Sequence, residues 1–205
     1  MPATRPHLDR DLKRKQILDA AERLFLRNGY EATAMAEVAR RAGVANNAVY
    51  WYFPSKDDLL AAVLGRRQQR AIERLPARET LTPDEQVLAM LAELDQVAKL
   101  TATVHDRARH SAAVAEMHEA FHATADRLLR SLFQDAGLDS NDAAQAAKAM
   151  MALIEGIHLH EPDRDTPTRD DLVLWTLHRL APDLARGSTA SRGGRQANRE
   201  GHVSL

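Results

Sequence analysis

The sequence predicts an all-α fold, a short N-terminal bundle of three helices followed by a larger helical remainder. Three observations lead there. Apolar residues recur at spacings of three and four, as at Ile17, Leu18, Ala21, Leu24 and Phe25, and no run alternates with the period of two that marks a strand. Glycines stand directly behind such stretches at Gly29, Gly43 and Gly137, where a left-handed residue ends a helix without steric cost. Ser55 with Asp58, and Thr82 with Glu85, spell reciprocal capping boxes that start helices.

The elements follow in order. A first helix runs from Asp11 to Asn28, and Thr33 is the expected N-cap of the second. Met35, Val38, Ala39 and Ala42 line one face of that second helix, Gly43 reverses the chain, and Val44 plugs the core under the turn. A third helix spans Asn46 to Phe53 and stops at Pro54. Two short helices around a glycine turn make a helix-turn-helix, whose second helix fits the major groove of DNA. Ser55 then opens a long helix to about Leu75, and Pro76 to Leu81 reads as a linker. Thr82 and Pro83 start a helix to about Leu100, followed by Val104 to His110, Ala113 to Ala136, Asn141 to His160, a loop from Glu161 to Pro167, and a last helix capped by Thr168 and Asp171 that reaches about Arg186. The stretch 187–205 is rich in Gly, Ser, Arg, Gln and Asn and reads as a disordered, solvated tail.

The chain has 205 residues, 44% of them hydrophobic, enough to bury a core. It has no cysteine, which excludes disulfides and thiolate metal sites. No apolar run approaches the roughly 18 residues of a membrane span, and no signal peptide is visible, so a cytoplasmic protein is expected. The net charge of −1 hides an asymmetry: residues 1–56 hold ten Lys/Arg against six Asp/Glu, and the remainder is acidic. A basic N-terminal part suits a polyanionic partner.

Ala42-Gly43-Val44, Tyr50, Tyr52-Phe53, Pro54-Ser55-Lys56 and Leu59, with Ile17 to Ala21, Phe25, Gly29-Tyr30, Thr33 and Val38-Ala39 upstream, resemble the DNA-binding domain of the TetR (tetracycline-repressor) family. The likeness is dense over about a quarter of the chain; beyond it, only the architecture is similar. It implies that Tyr50, Tyr52 and Lys56 contact backbone phosphates, as the position of Thr33 often does. Two positions depart from the family pattern: Ala45 replaces the usual Ser or Thr cap, a task Asn46 is placed to take over, and Asn47 replaces a small residue.

The chemistry of the third helix supports the same assignment. Asn47, and Asn46 if it does not cap, suit adenine's major-groove edge, while the Ala48 methyl or the Trp51 face suits a thymine methyl. Lys56, in the first turn of the next helix, is placed to hold a phosphate with the free N–H groups there. Val49 and Phe53 face the core. No Arg or Lys lies between Val44 and Phe53, which argues against guanine readout from this helix. Arg5, Arg10, Lys13, Arg14 and Lys15 form a basic arm, and for these, as for Arg40 and Arg41, phosphate contact and plain solvation stand level.

His118-Glu119-Ala120-Phe121-His122 fits the H-E-x-x-H motif of zinc peptidases. Chance alone yields such a match in roughly one or two chains per hundred, and a zincin also needs a third ligand and a strand edge for its substrate. A metal-sensing alternative adds His105 or His110 to the pair. The reading taken is that His105, His110, Met117, His118, Phe121 and His122 line an effector pocket, with no resident metal or other cofactor. His158 and His160 read as helix C-terminal residues, and Trp175 as core or dimer interface.

The whole is read as a DNA-binding transcriptional regulator, not an enzyme. Residues 1–72 form the helix-turn-helix domain, 73–186 an effector-binding and dimerisation domain, and 187–205 the tail. Expected partners are double-stranded DNA carrying a palindromic operator, a small-molecule effector of unknown identity and a second copy of the chain, with no membrane. The resemblance implies that the last two long helices pair in a four-helix bundle. Ala143, Ala146, Ala147, Met150, Ile154 and Ile157 on one, and Leu172, Trp175, Leu180 and Leu184 on the other, are the apolar faces expected there. Repression follows if the effector binds the DNA-incompetent state better.

Overall fold

A computed structural model describes residues 6–74, 81–160 and 166–184. Among them it is helical, with no strand. The helices are α1 (Pro6–Asn28), α2 (Met35–Ala42), α3 (Asn46–Tyr52), α4 (Lys56–Arg74), α5 (Pro83–Asp95), α6 (Ala98–Ala108), α7 (Ala112–Asp135), α8 (Ser140–His160) and α9 (Thr166–Leu180). No helix among the described residues is long and apolar enough to cross a membrane. The expected tail at 187–205, nearly all of the linker and most of the loop before α9 lie outside the described residues.

The chain divides into two compact units. The first comprises Met1–Arg74 and Gln96–His122, the second Leu75–Asp95 and Ala123–Leu205. The expected boundary near residue 72 falls close to the end of α4, but the chain then returns to the first unit with α6 and the start of α7.

In the first unit, Ile17, Leu18, Ala21, Leu24 and Phe25 of α1 pack with Val38 and Ala39 of α2, Val49 and Phe53 around α3, and Leu59, Leu60 and Val63 of α4. Each such large side chain contributes roughly 1.5–3 kcal/mol on burial. Leu100 and Val104 of α6 and Val114 of α7 join this core. Charge ties α1 to α4: Glu22 accepts from Arg66 at 2.8 Å, Arg67 at 2.7 Å and Arg70 at 2.5 Å. Those hydrogen bonds hold the Glu22 carboxyl below the usual range against the burial that would raise it.

The start and stop signals behave as their chemistry requires. Gly43 takes φ +68° and its N–H reaches back to Ala39 and Arg40, closing α2. The Asp58 N–H donates to Ser55 Oγ and the Ser55 N–H to Asp58 Oδ2, both at 3.0 Å. Thr82 and Glu85 repeat the pattern at 3.3 and 2.8 Å. Thr33 departs from expectation. Ala34 occupies the N-cap of α2, and the Thr33 hydroxyl donates to the Gly29 carbonyl at 2.7 Å, stitching the preceding turn. Nor does Asn46 cap α3: Ala45 stands at the N-cap and no side chain bonds the first turn.

In the second unit, Ala143, Ala146, Ala147, Met150, Ile154 and Ile157 of α8 are all buried, with Leu129 and Phe133 of α7 and Val87 and Leu91 of α5. The face of α9 is corrected by a fraction of a turn. Val173 and Leu177, then Ala181 and Leu184 beyond its end, are buried, Leu172 and Leu180 flank them, and Trp175 is 58% exposed with the Arg179 guanidinium 5.3 Å from its ring. The last helix also begins at Thr166, so Thr168 lies inside it rather than at its cap. His158, read as a helix C-terminal residue, is near the end of α8 and buried. Its ring nitrogens meet the Ile154 carbonyl at 2.8 Å and Asp95 at 3.2 Å, and Asp95 also pairs with the buried Arg169. His178 bonds Asp84 at 2.8 Å, linking α9 to α5.

Candidate functional site

Helix α3 is short, and its sequence sorts cleanly by face. Val49 and Phe53, four residues apart, are buried under the helix, whereas Tyr50 is 47% and Trp51 63% exposed. Asn46 and Asn47 are exposed and Ala48 partly so. Two large aromatic rings left largely exposed on a polar helix face are the usual mark of a recognition surface. Tyr52 is half-buried and sets its ring edge-on to Trp51, with 4.8 Å between centroids. Because Asn46 does not cap the helix, its amide remains available beside that of Asn47.

The surrounding cations are arranged by α1, α2 and α4. The Arg10 guanidinium lies 4.5 Å from the Trp51 ring, and that of Arg14 lies 5.3 Å from Phe53. The basic stretch from Arg10 to Lys15 is therefore part of helix α1 and stands against α3; Arg5 lies outside the described residues. Sequence reasoning placed Arg10 in the arm but gave no sign of its stacking partner, because the pairing joins residues forty-one apart on different helices. Arg40 and Arg41 both bind Glu37, at 2.6 and 3.0 Å, and their hydrogen bonds hold the Glu37 carboxyl below its ordinary range.

Lys56 and Thr33, both expected at phosphates, are already engaged. The Lys56 ammonium donates to the carbonyls of Tyr30 at 3.0 Å and Thr33 at 3.2 Å and sits 4.0 Å from the Tyr30 ring. An ammonium carries three donors, so one remains for an anion. Thr33 is 1% exposed, its hydroxyl is used by Gly29, and its N–H bonds the Tyr30 carbonyl at 3.1 Å. Its folded position shapes the turn and leaves no donor facing outward. Behind Lys56 lies a group that the sequence did not reveal: Asp57 accepts from the Tyr30 hydroxyl and from the Arg107 guanidinium of α6.

Of the six residues expected at an effector pocket, the first unit brings together three histidines. The His118 and His122 Nε2 atoms are 3.0 Å apart, with ring centroids at 4.3 Å, and the His105 ring lies 4.7 Å from that of His118. Phe121 sets its ring 5.7 Å from His122, and Met117 packs against the core. His110 is exposed in the turn after α6. Burial, then the neighbouring charges of His122 and His105, push His118 down to about 4. Elsewhere a groove of about 420 Å³ between α1 and α4 is lined by Asp11, Arg14, Lys15, Asp19, Arg66 and Arg70, too charged for the largely apolar pocket a small organic effector requires.

Comparison with known proteins accords with this geometry. Residues 17–63 match the family described as bacterial regulatory proteins, tetR family. Over 154 residues the chain is 30% identical to the HTH-type transcriptional activator FasR of Mycolicibacterium smegmatis, covering 71% of this chain and 70% of FasR. The chain belongs to the TetR family. This TetR-family regulator is also 41% identical over 87 residues to the HTH-type transcriptional repressor KstR of the same organism, across 41% of this chain and 42% of KstR. Its fold is similar to that of a transcriptional regulator from Rhodococcus sp. Rha1, with a TM-score of 0.66 and 21% identity over 85% of this chain and 96% of that one. TetR-family membership makes it a DNA-binding transcription regulator rather than an enzyme.

Proposed function

We propose that this regulator is a ligand-responsive repressor that acts in the cytoplasm and binds a palindromic operator as a homodimer. The observation that carries the reading is the division of α3, with Val49 and Phe53 buried and Asn47, Tyr50 and Trp51 turned outward. On this reading Asn47 reads a base, Trp51 packs on a thymine methyl, and Tyr50, Tyr52 and the third donor of Lys56 hold phosphates. Thr33 contributes through the turn it braces. The exposed Trp175 on α9 suits a face that a second copy covers. Two copies then present two recognition helices about one DNA turn apart, which calls for a palindrome.

The test is selection of duplexes from a random pool by the full chain, followed by affinity measurement from about 50 to 200 mM salt, a range over which phosphate-dependent binding falls steeply. A palindromic consensus bound by two chains is expected, and a reporter placed behind it should be silenced. Binding without sequence preference, or by a single chain to a half-site only, refutes the proposal.

A further inference from the structure

We propose that His105, His118 and His122 are ligands of one divalent transition-metal ion, zinc foremost, and that its occupancy controls DNA affinity through α6. The donor set is the first argument. Three imidazoles with no thiolate suit zinc, nickel or copper and are poor ligands for magnesium or calcium. The second is placement. His118 and His122 stand one helical turn apart on α7, and their Nε2 atoms are 3.0 Å apart. Two nitrogens each 2.0–2.1 Å from a tetrahedral zinc sit roughly 3.3 Å from one another, so closing on an ion takes a shift of tenths of an ångström. His105 comes from a different helix and brings its ligand nitrogen within 4.8 Å of that of His118. Where one Nε2–H now bridges the pair, that proton moves to Nδ1 of the same ring and leaves both Nε2 lone pairs to the metal.

The sequence motif supplied two of these ligands and the metal-sensing alternative added His105 or His110; the fold sets His105, on α6, beside His118. Glu119, the base that a peptidase would need, is exposed one residue further round α7. The site's route to DNA is short. Residues two apart on a helix point to nearly opposite sides, and α6 carries His105 toward α7 and Arg107 toward Asp57 at the start of α4. Asp57 adjoins Lys56, which holds the turn before α2. Drawing His105 onto a metal shifts α6, and with it the seat of α4. The site stands on geometry alone, whereas the switch rests on the DNA-binding reading above.

The experiment uses the full chain stripped with a chelator. Zinc is titrated against a chromophoric chelator, and cobalt is titrated while its visible absorption is recorded. One equivalent and the strong bands of four-coordinate cobalt are expected. His118→Gln and His122→Ala, each checked for native helicity, should weaken zinc by more than the roughly 10–100-fold that loss of an outer partner costs, whereas His110→Ala should change nothing. Absence of tight binding, six-coordinate cobalt, or equal loss in His110→Ala overturns the site. Anisotropy of the selected duplex with and without zinc reads the switch, and a change of about 5–150-fold is expected. Unchanged affinity with zinc bound overturns the switch and leaves the site standing. If no duplex binds in any state, the DNA reading fails and the switch with it, while the zinc titration still judges the site.

Discussion

Arg107 closes on Asp57 with two nitrogens, Nε at 3.0 Å and Nη2 at 2.5 Å, across fifty residues of sequence. The carboxylate also accepts from Tyr30, so one buried group joins the turn before α2, the first turn of α4 and the end of α6. The guanidinium, more than the hydroxyl, holds the Asp57 carboxyl below its ordinary value. A carboxyl lowered on folding stabilises above its unfolded value, near 3.8, and loses that contribution as pH falls below it. Arg107→Ala should therefore melt at lower temperature at neutral pH, and the gap from the parent should narrow in thermal scans taken below about pH 4.

Gly43 and Gly65 should respond to alanine in opposite senses. Gly43 has φ +68°, where an L side chain costs roughly 1–2 kcal/mol, so Gly43→Ala destabilises by about that amount although nothing lies within 4 Å of the added carbon. Gly65 lies inside α4 with open space around it, and Gly65→Ala should stabilise by about 0.5–1 kcal/mol. Urea unfolding of both variants, with unchanged slopes, checks the pair.

Asn47→Ala should relax preference at one operator position at a cost of roughly 1–3 kcal/mol. Lys56→Ala should weaken binding to all duplexes alike and lower the salt slope by up to about one unit. Because Lys56 also holds the Tyr30 and Thr33 carbonyls, it should lower the melting temperature, which Asn47→Ala should not. Uniform loss in both variants would refute the division between base reader and phosphate clamp.

His118 makes the stripped protein sensitive to mild acid. Its folded value, about 4, lies below the ordinary 6.5, so between those limits the unfolded chain binds the extra proton. Stability thus falls as pH drops from about 6.5 toward 4. Chemical denaturation at a series of pH values should show this decline, and His118→Gln should flatten it.

Much of this was legible because it is written in local chemistry. Gly43, the Ser55–Asp58 and Thr82–Glu85 boxes and the period of α1 act over four residues or fewer, and they place α1 to α4 and the start of α5 well. The break between α5 and α6 carries no such mark. The segment from Glu93 to Thr101 has neither glycine nor proline, yet Leu91 belongs to the core of the second unit and Leu100 to that of the first. Packing, not propensity, interrupts the helix there. The same holds at Trp175, where the choice of Val173 and Leu177 for the core turned the tryptophan outward.

At the site, the residue types on α3 could be read directly, since Val49 and Phe53 inward fixes Tyr50 and Trp51 outward. Thr33 and Lys56 were expected at phosphates; in the fold their hydrogen bonds run to backbone carbonyls that no sequence pattern exposes. Arg10 over Trp51, Arg107 on Asp57 and His105 beside His118 each join separate helices.

Glu37 gives two cations of α2 a companion within their own helix. On the proposed reading, a head that keeps Arg40 and Arg41 so occupied, and whose recognition helix holds no Arg or Lys, would cling weakly to arbitrary stretches of duplex. Such a molecule spends little time parked on wrong addresses. On the proposed reading, its fidelity would then come from the close fit of Asn47 and Trp51 at the operator.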